Sequence, residues 1–451
     1  MGLVQKVAEH IVHTDMTLIP AEVAQKGKSC ILDAIGCGLY GREFEASKIL
    51  LQIASEWGGR PEATIIGRGM KAPSAMAAKL NGVAIHVADF DDSSIYFRGH
   101  PSSVVLPAVA ALCERDLRSG KDLLVSYILG VEIGGRLGEV MGLSHYEAGW
   151  HGTATIGTIA SAAASAKILD LNEKQTAHAL AIAASGACGI RENFGTMVKS
   201  LHAGQAASAG VLAALLAERG YEGSLSAFEG KSGFYRVYSG ENEISRWAYG
   251  LDEFYTVKGL MFKRYPSCAA THSALDGLED IMQTDQFSWE RIEQIDCSVP
   301  PVNLTVLIHP EPRTGLEAKF SLPYCISAFL VHGKLDLSHF EEDALNDGRV
   351  RKLMKRVKVK PDKRLGELVR TKGVLAPAEI NVKLGNRTLS KMVLEAKGGA
   401  SSPLSSMEIE GKFRICAGRA LPSQNVDNVM KLINSLESLE NITTLTAALS
   451  A

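Results

Sequence analysis

The chain has no Cys-x-x-Cys pair, no His-Glu-x-x-His and no Gly-x-Ser-x-Gly, and neither sign of charge is in excess. Each absence closes a class of function. Without the first two there is no zinc site at ordinary ligand spacing, and without the third no nucleophile elbow for an α/β-hydrolase triad. With 48 Lys+Arg against 50 Asp+Glu and a net charge of −2, no global field holds a nucleic acid or an anionic membrane surface. The eight cysteines are scattered through apolar contexts and read as reduced core thiols of a cytoplasmic protein. The N-terminus runs into an amphipathic helix pattern rather than a signal peptide. The longest uncharged stretches, 152–166 and 175–190, fall short of the roughly 20 apolar residues a membrane span needs, and they read as buried helices.

Phosphate loops are missing as well. Gly27-Lys28-Ser29 and Gly230-Lys231-Ser232 end like a P-loop, but the upstream glycine is replaced by Glu22 and Leu225. Gly36-Cys37-Gly38-Leu39-Tyr40-Gly41 has dinucleotide-loop spacing, yet the residues before it form a helix pattern, so these glycines are expected at a helix crossing.

What is present is small side chains and helical spacing over the first 220 residues. Helices are expected near 46–57, 74–86, 103–117 and 123–140, with Pro20 and Asp122 at helix starts and a short strand at 63–67. Between 152 and 220, 32 of 69 residues are Ala, Gly or Ser and nine are charged, which predicts closely approaching core helices. After about 271 the pattern changes. Strand alternation at 291–299 and 357–360, a hairpin across Gly385-Asn386, and helices at 320–332 and 343–357 predict an α+β insert. Residues 423–451 read as helical again, after a linker-like 398–406.

Four polar islands interrupt the apolar helices, and each alone is consistent with an ordinary helix end. The first runs from Asp89-Phe90-Asp91-Asp92-Ser93 to His100-Pro101; its carboxylates repel one another unless cations offset them. The second is Trp150-His151-Gly152-Thr153. In the third, Lys199 and His202 are three residues apart and share a helix face. The fourth places Lys263 and Arg264 before Pro266. Together they supply acid, base and positive charge with no metal or nucleotide motif, a set suited to proton chemistry on a small carboxylate.

These islands, in order, resemble the MmgE/PrpD family: Asp-Phe-Asp-Asp at 89–92 with His-Pro at 100–101, Gly-x-His-Gly-Thr at 149–153, Lys-Ser-Leu-His-Ala-Gly at 199–204, Lys-x-Tyr-Pro-Ser-Cys at 263–268 and Lys-Phe-Ser-Leu-Pro-Tyr at 319–324. The resemblance implies a mainly α fold, with a large all-helical domain (1–268 and 403–451) and a smaller inserted α+β lid (269–402). It further implies a homodimer and a cofactor-free, metal-free site in the cleft between the domains. The partner is a small polycarboxylate, with neither nucleic acid nor membrane involved. The implied activity is a hydro-lyase of the 2-methylcitrate dehydratase type, with cis-aconitate decarboxylase-like or iminodisuccinate epimerase-like chemistry as alternatives in the same site. More remote readings are a class II terpene cyclase, from the Asp-x-Asp-Asp pattern, and a non-catalytic helical scaffold.

The carried-over positions are Asp89, His100, His151, Lys199 and Lys263 as the catalytic set, with Ser93 and Tyr324 on substrate; His202 and Arg313 are added as substrate binders from their own place in the sequence. His100 and His151, titrating near neutral pH, are expected as base and acid. Lys199 and Lys263 clamp carboxylates, Asp89 orients a histidine or lysine, and Tyr324 donates a hydrogen bond from the lid. His202 and Arg313 bind anions. Ser93 stands where the decarboxylase pattern has Thr and Cys268 where it has His, which removes an acid/base or binding group.

Overall fold

The computed structural model describes residues 2–285 and 287–450 and separates into two compact units. The first comprises residues 1–192, 198–260 and 405–451 and is helical but for one small hairpin; the second comprises 193–197 and 261–404. The protein is mainly α, as the resemblance implied.

The first unit begins with α1 (Leu3–His13), α2 (Ala21–Gly41) and α3 (Glu45–Trp57), followed by the hairpin β1 (Ala63–Ile65) and β2 (Met70–Ala72). Then come α4 (Ser74–His86), α5 (Ser102–Arg115), α6 (Gly120–Glu147), α7 (Gly152–Ile168), α8 (Glu173–Gly186) and α9 (Val198–Glu218). Helices α4, α7 and α9 form the centre, with α5, α6 and α8 around them. Backbone proximity sets this arrangement. A Cβ on Gly204 would stand 2.3 Å from the Lys79 carbonyl oxygen, and one on Gly82 would stand 2.9 Å from Gly204 Cα, so α4 and α9 cross glycine to glycine. Helix α9 is long and apolar enough to cross a membrane by length and composition, but more than half of that stretch is buried against its neighbours.

Helix starts differ slightly from expectation. Pro20 precedes α2 as its cap, and α6 starts two residues before Asp122: Ser119 caps it and Asp122 closes the reciprocal pair of side-chain bonds.

In the second unit, α10 (His272–Thr284) covers the hairpin side of a four-stranded sheet made of β3 (Gln294–Val299), β4 (Val357–Pro361), β5 (Ala378–Leu384) and β6 (Arg387–Val393). The order is β4-β3-β5-β6, with β3/β4 parallel and the other pairs antiparallel. Ile295 pairs with Val382 on one side and Val357 on the other, and Ile295, Cys297 and Val299 alternate inward. The turn at Gly385 adopts φ +62, which glycine accepts without cost. Helix α11 (Leu322–His332) lies against α10 and β4. The helix expected at 343–357 is broken: Asp347 caps a new start, α12 (Gly348–Met354), by accepting from Arg349 N. Helix α13 (Lys363–Lys372) follows β4.

The chain then returns to the first unit as α14 (Ser406–Ala417) and α15 (Ser423–Asn434), both packed on α2. The expected helicity of 423–451 is interrupted rather than continuous: after Asn434 come a single 3₁₀ turn, Leu436–Ser438, and a short α-helix, Thr443–Ala448. The 36–41 glycines sit at a helix crossing, as the sequence indicated. A Cβ on Gly36 would meet the Phe413 ring at 2.9 Å, and one on Gly41 the Ala84 carbonyl oxygen at 1.9 Å. Beside Gly36, Lys412 reaches the buried Asp33 at 2.7 Å and donates to the Phe90 carbonyl oxygen at 2.6 Å. Six of the eight cysteines are buried; Cys188 is exposed and Cys268 half-buried, which corrects the reading of all eight as core thiols.

Candidate active site

Helix α4 ends on His86, and the chain leaves it through Asp89, which adopts φ +50, a conformation Asp tolerates better than most residues. The strand-like contact of Ser94 with Gly99 then folds the island back on itself. Gly99 is required there, because a Cβ would stand 2.5 Å from Thr153 N. His100 N donates to Thr153 Oγ1 at 3.1 Å, tying the island to the start of α7.

The His100 ring is set by the same fold. Its Nδ1 lies 2.7 Å from the Asp92 carbonyl oxygen, which can only accept, so Nδ1 carries the hydrogen and Nε2 is the basic nitrogen. Asp92 in turn accepts from Ser102 N at 3.2 Å and from Ser102 Oγ, which is 2.5 Å from Tyr127 Oη. Burial pushes the Asp92 carboxyl up to about 7.

Helix α9 brings Lys199 into this island from more than a hundred residues away. Its Nζ donates to Asp89 Oδ1 at 3.0 Å and to His86 Nε2 at 2.9 Å. His86 Nδ1 faces Asp91 at 2.9 Å, and the rings of His86 and His100 are 4.4 Å apart. The carboxylates of the first island are thus offset by Lys199 and by hydrogen bonds. The side chains of His86, Asp89, Asp91 and His100 place ligand-type atoms within 4.8 Å of one another, a grouping that could hold a metal ion. Lys199 Nζ already bonds two of those residues, so the positive charge at this donor set is the chain's own.

His151 caps α7, held by the bond of its N to the Gly189 carbonyl oxygen at 3.1 Å and by the Trp150–Ile190 bridge. Trp150 packs on Tyr238 at 4.5 Å, and Arg191 stacks on Tyr146 at 4.1 Å while its N donates to the Gly149 carbonyl oxygen. His202, one turn after Lys199, brings its Nδ1 to 3.0 Å from His151 Nδ1, so the two rings share one hydrogen.

Burial, then Lys199 and the other imidazoles, hold His151 well below its ordinary range; burial, with His86 and Lys199 adding, pushes His202 down to about 4. The expectation that His151 titrates near neutral pH is therefore corrected: a fully buried imidazole among other cations and imidazoles stays neutral. In a histidine NMR titration, the His202 signal, assigned as the one lost in His202→Gln, is expected to remain neutral as pH falls through 6.5 and to titrate near pH 4. A midpoint above 6 would contradict this.

Of the expected site residues, Asp89, His100, His151, Lys199 and His202 converge, and Ser93 is buried in the same island. Lys263, Arg313 and Tyr324 belong to the second unit. Lys263 is fully buried, and its neighbour Arg264 pairs with Asp276 and Glu279 at 2.8 Å. Arg313 is exposed, with its N donating to Glu317 Oε2 at 2.6 Å. Tyr324 is fully buried and its hydroxyl donates to the His339 carbonyl oxygen; its observed place is in the core of its own unit rather than as a donor reaching out of it.

Sequence reasoning missed His86 and the separate duties of Asp91 and Asp92. A His closing an apolar helix three residues before Asp89 was the available signal, and it is indistinguishable in one dimension from a packed helix end.

Two family models match the chain: the MmgE/PrpD N-terminal domain over residues 5–246 and the MmgE/PrpD C-terminal domain over 265–437. The chain is similar to cis-aconitate decarboxylase of Homo sapiens, 31% identical over 445 residues, covering 95% of this chain and 90% of the relative. It is similar to cis-aconitate decarboxylase of Aspergillus terreus, 27% identical over 451 residues with 95% and 91% covered. It also resembles 2-methylcitrate dehydratase of Salmonella typhimurium, 26% identical over 356 residues with 73% and 71% covered.

Proposed function

Because the chain belongs to the MmgE/PrpD family, whose two domain models match most of its length, we propose that it is a cofactor-independent lyase acting on a small di- or tricarboxylate. The reading is carried by Lys199, buried and bridging Asp89 and His86, with the basic nitrogen of His100 3.9 Å from the same Asp89 oxygen. A carbanion next to a carboxylate forms only where a base and a fixed cation meet it, because negative charge develops beside negative charge. His100 Nε2 is the proton carrier in this proposal and Lys199 the cation that meets the developing charge. His151 and His202, both neutral, orient substrate by hydrogen bonds rather than by full charge. Lys263 is assigned to a substrate carboxylate on its motif match.

Within this class, decarboxylation of cis-aconitate is the first reading, supported by the decarboxylase relatives that span 95% of the chain. The C–C bond to one carboxylate breaks, CO₂ leaves with the electron pair kept on carbon, and a proton is delivered to that carbanion. Dehydration of 2-methylcitrate is the second reading, supported by Cys268 and Ser93 at positions where the decarboxylase pattern has His and Thr, and by the dehydratase relatives. There a base takes the proton next to a carboxylate and the hydroxyl leaves, protonated, as water.

One assay separates them. The pure protein is incubated in D₂O with cis-aconitate, 2-methylcitrate, citrate or iminodisuccinate and followed by NMR. CO₂ release with a deuterated alkene product is expected. A new alkene without CO₂ assigns dehydration, and deuterium exchange with inversion assigns epimerisation. No change in any of the four overturns the proposal.

A further inference from the structure

We propose that His86, held by Asp91, is a positioning residue that fixes Lys199 for the reaction. This rests on the lyase reading above for its kinetic consequence, but not for its chemical one. His86 is buried, and its Nδ1 lies 2.9 and 3.1 Å from the two oxygens of Asp91, itself fully buried. Burial, which Asp91 only partly offsets, holds the imidazole below its ordinary range, so the ring is neutral. A carboxylate only accepts, so the one ring hydrogen sits on Nδ1 and Nε2 presents a lone pair. Lys199 Nζ lies 2.9 Å from that Nε2 and donates to it.

The second acceptor of Lys199 is Asp89 Oδ1 at 3.0 Å, on the residue with φ +50 just beyond the same helix. A lysine carries a flexible four-carbon stem, and a single ion pair leaves its ammonium free to swing. Two acceptors from the end of α4, one of them rigid in a helix, fix it. Asp91 therefore does not compete for Lys199: it sets the tautomer that lets His86 accept. The groups facing His86 are Asp91, Lys199 and Asp89, with the rings of His100 at 4.4 Å and His151 at 6.2 Å. Groups that orient the ligands of a metal cost about 10- to 100-fold when removed, and the same scale is expected for a group that orients a catalytic cation.

The test compares His86→Leu, His86→Gln and Asp91→Asn in the full chain. Two readouts are taken: kcat and KM on whichever polycarboxylate the NMR assay shows to turn over, and the rate of Lys199 acetylation by acetic anhydride, read by mass spectrometry. Circular dichroism checks folding. His86→Leu is expected to lose about 10- to 100-fold in kcat with a smaller change in KM, and to acetylate Lys199 faster, because the ammonium has lost an acceptor. Asp91→Asn, which frees the ring to move its hydrogen to Nε2, is expected to follow it. His86→Gln, whose side-chain oxygen can still accept from Lys199, is expected to recover most of both losses, which a purely packing role would not predict.

A folded His86→Leu with kcat within twofold of wild type and unchanged acetylation overturns the proposal. If His86→Leu does not fold, Asp91→Asn decides: wild-type acetylation in that variant overturns it. If no polycarboxylate turns over, the lyase reading fails, and the acetylation rates alone decide whether His86 holds Lys199.

Discussion

His100→Ala is expected to lower kcat by about 10²- to 10⁴-fold while the protein stays folded, the range that a positioned proton carrier contributes. The two parts of this expectation have separate causes. Chemically, the Asp92 carbonyl oxygen holds the Nδ1 hydrogen and thereby assigns the lone pair to Nε2, which lies 3.9 Å from Asp89 Oδ1, the oxygen that accepts from Lys199. His151 and His202, the next imidazoles along the site, are engaged with each other at 3.0 Å. Structurally, the island is held by backbone-level bonds that survive truncation: His100 N to Thr153 Oγ1, Ser103 Oγ to the His100 carbonyl oxygen, and Ser94 N to the Gly99 carbonyl oxygen. Circular dichroism and Tm would show the fold retained, and a steady-state assay on the substrate identified by NMR would show the loss. An alanine variant with kcat within threefold of wild type would remove His100 from the mechanism.

The largest loss of stability is expected at a position with no contact to the reacting groups. Lys412→Met should destabilise the protein by about 3–5 kcal/mol, because it leaves the Asp33 carboxylate buried and unpaired. Lys412 is the cation that α14 brings to α2: burial pulls it down, but Asp33, with Cys37 and Cys416 adding, more than offsets this and its pKa is raised. On the other side, burial pushes Asp33 up, against the pull of Lys412. The same Nζ donates to the Phe90 carbonyl oxygen and sits 4.0 Å over the Phe90 ring, so the loss also loosens the island that carries Asp89 and Asp91. Urea unfolding measures the effect. Pairing the change with Asp33→Asn should recover a large part of the stability, since a neutral amide costs far less to bury than an unpaired carboxylate. Equal destabilisation in the single and double variants would rule out the unpaired charge as the cause.

Much of the secondary structure was legible because its causes are local. Residues 74–86 and the hairpin at Gly385-Asn386 follow from spacing and turn chemistry. Where reading failed, a short-range competitor intervened: Asp347 capped a new helix in the middle of an apolar pattern, and Ser119 moved the start of α6. Lys199 and His202 were legible as a pair, because three residues on a helix share a face. His86 was not, because its meaning depends on a lysine that arrives from 113 residues away. Tyr324 sat in a recognisable motif, yet its hydroxyl is taken by the His339 carbonyl oxygen, a partner no spacing rule predicts.

By itself the sequence determined that this is a mainly helical protein of small side chains, with almost no net charge, in which a few cations and histidines interrupt the apolar helices as polar islands. Periodicity, glycine content and charge balance are properties of the chain, so one dimension suffices for them. Which histidine is neutral, which nitrogen holds the hydrogen, and which carboxylate faces Lys199 were decided only by the tertiary structure. Those are properties of burial and of partners distant in sequence, such as Asp92 with Ser102, His151 with His202, and Asp33 with Lys412. A proton's position responds to fields that fall off over a few ångströms, and only the folded chain brings these groups within that range.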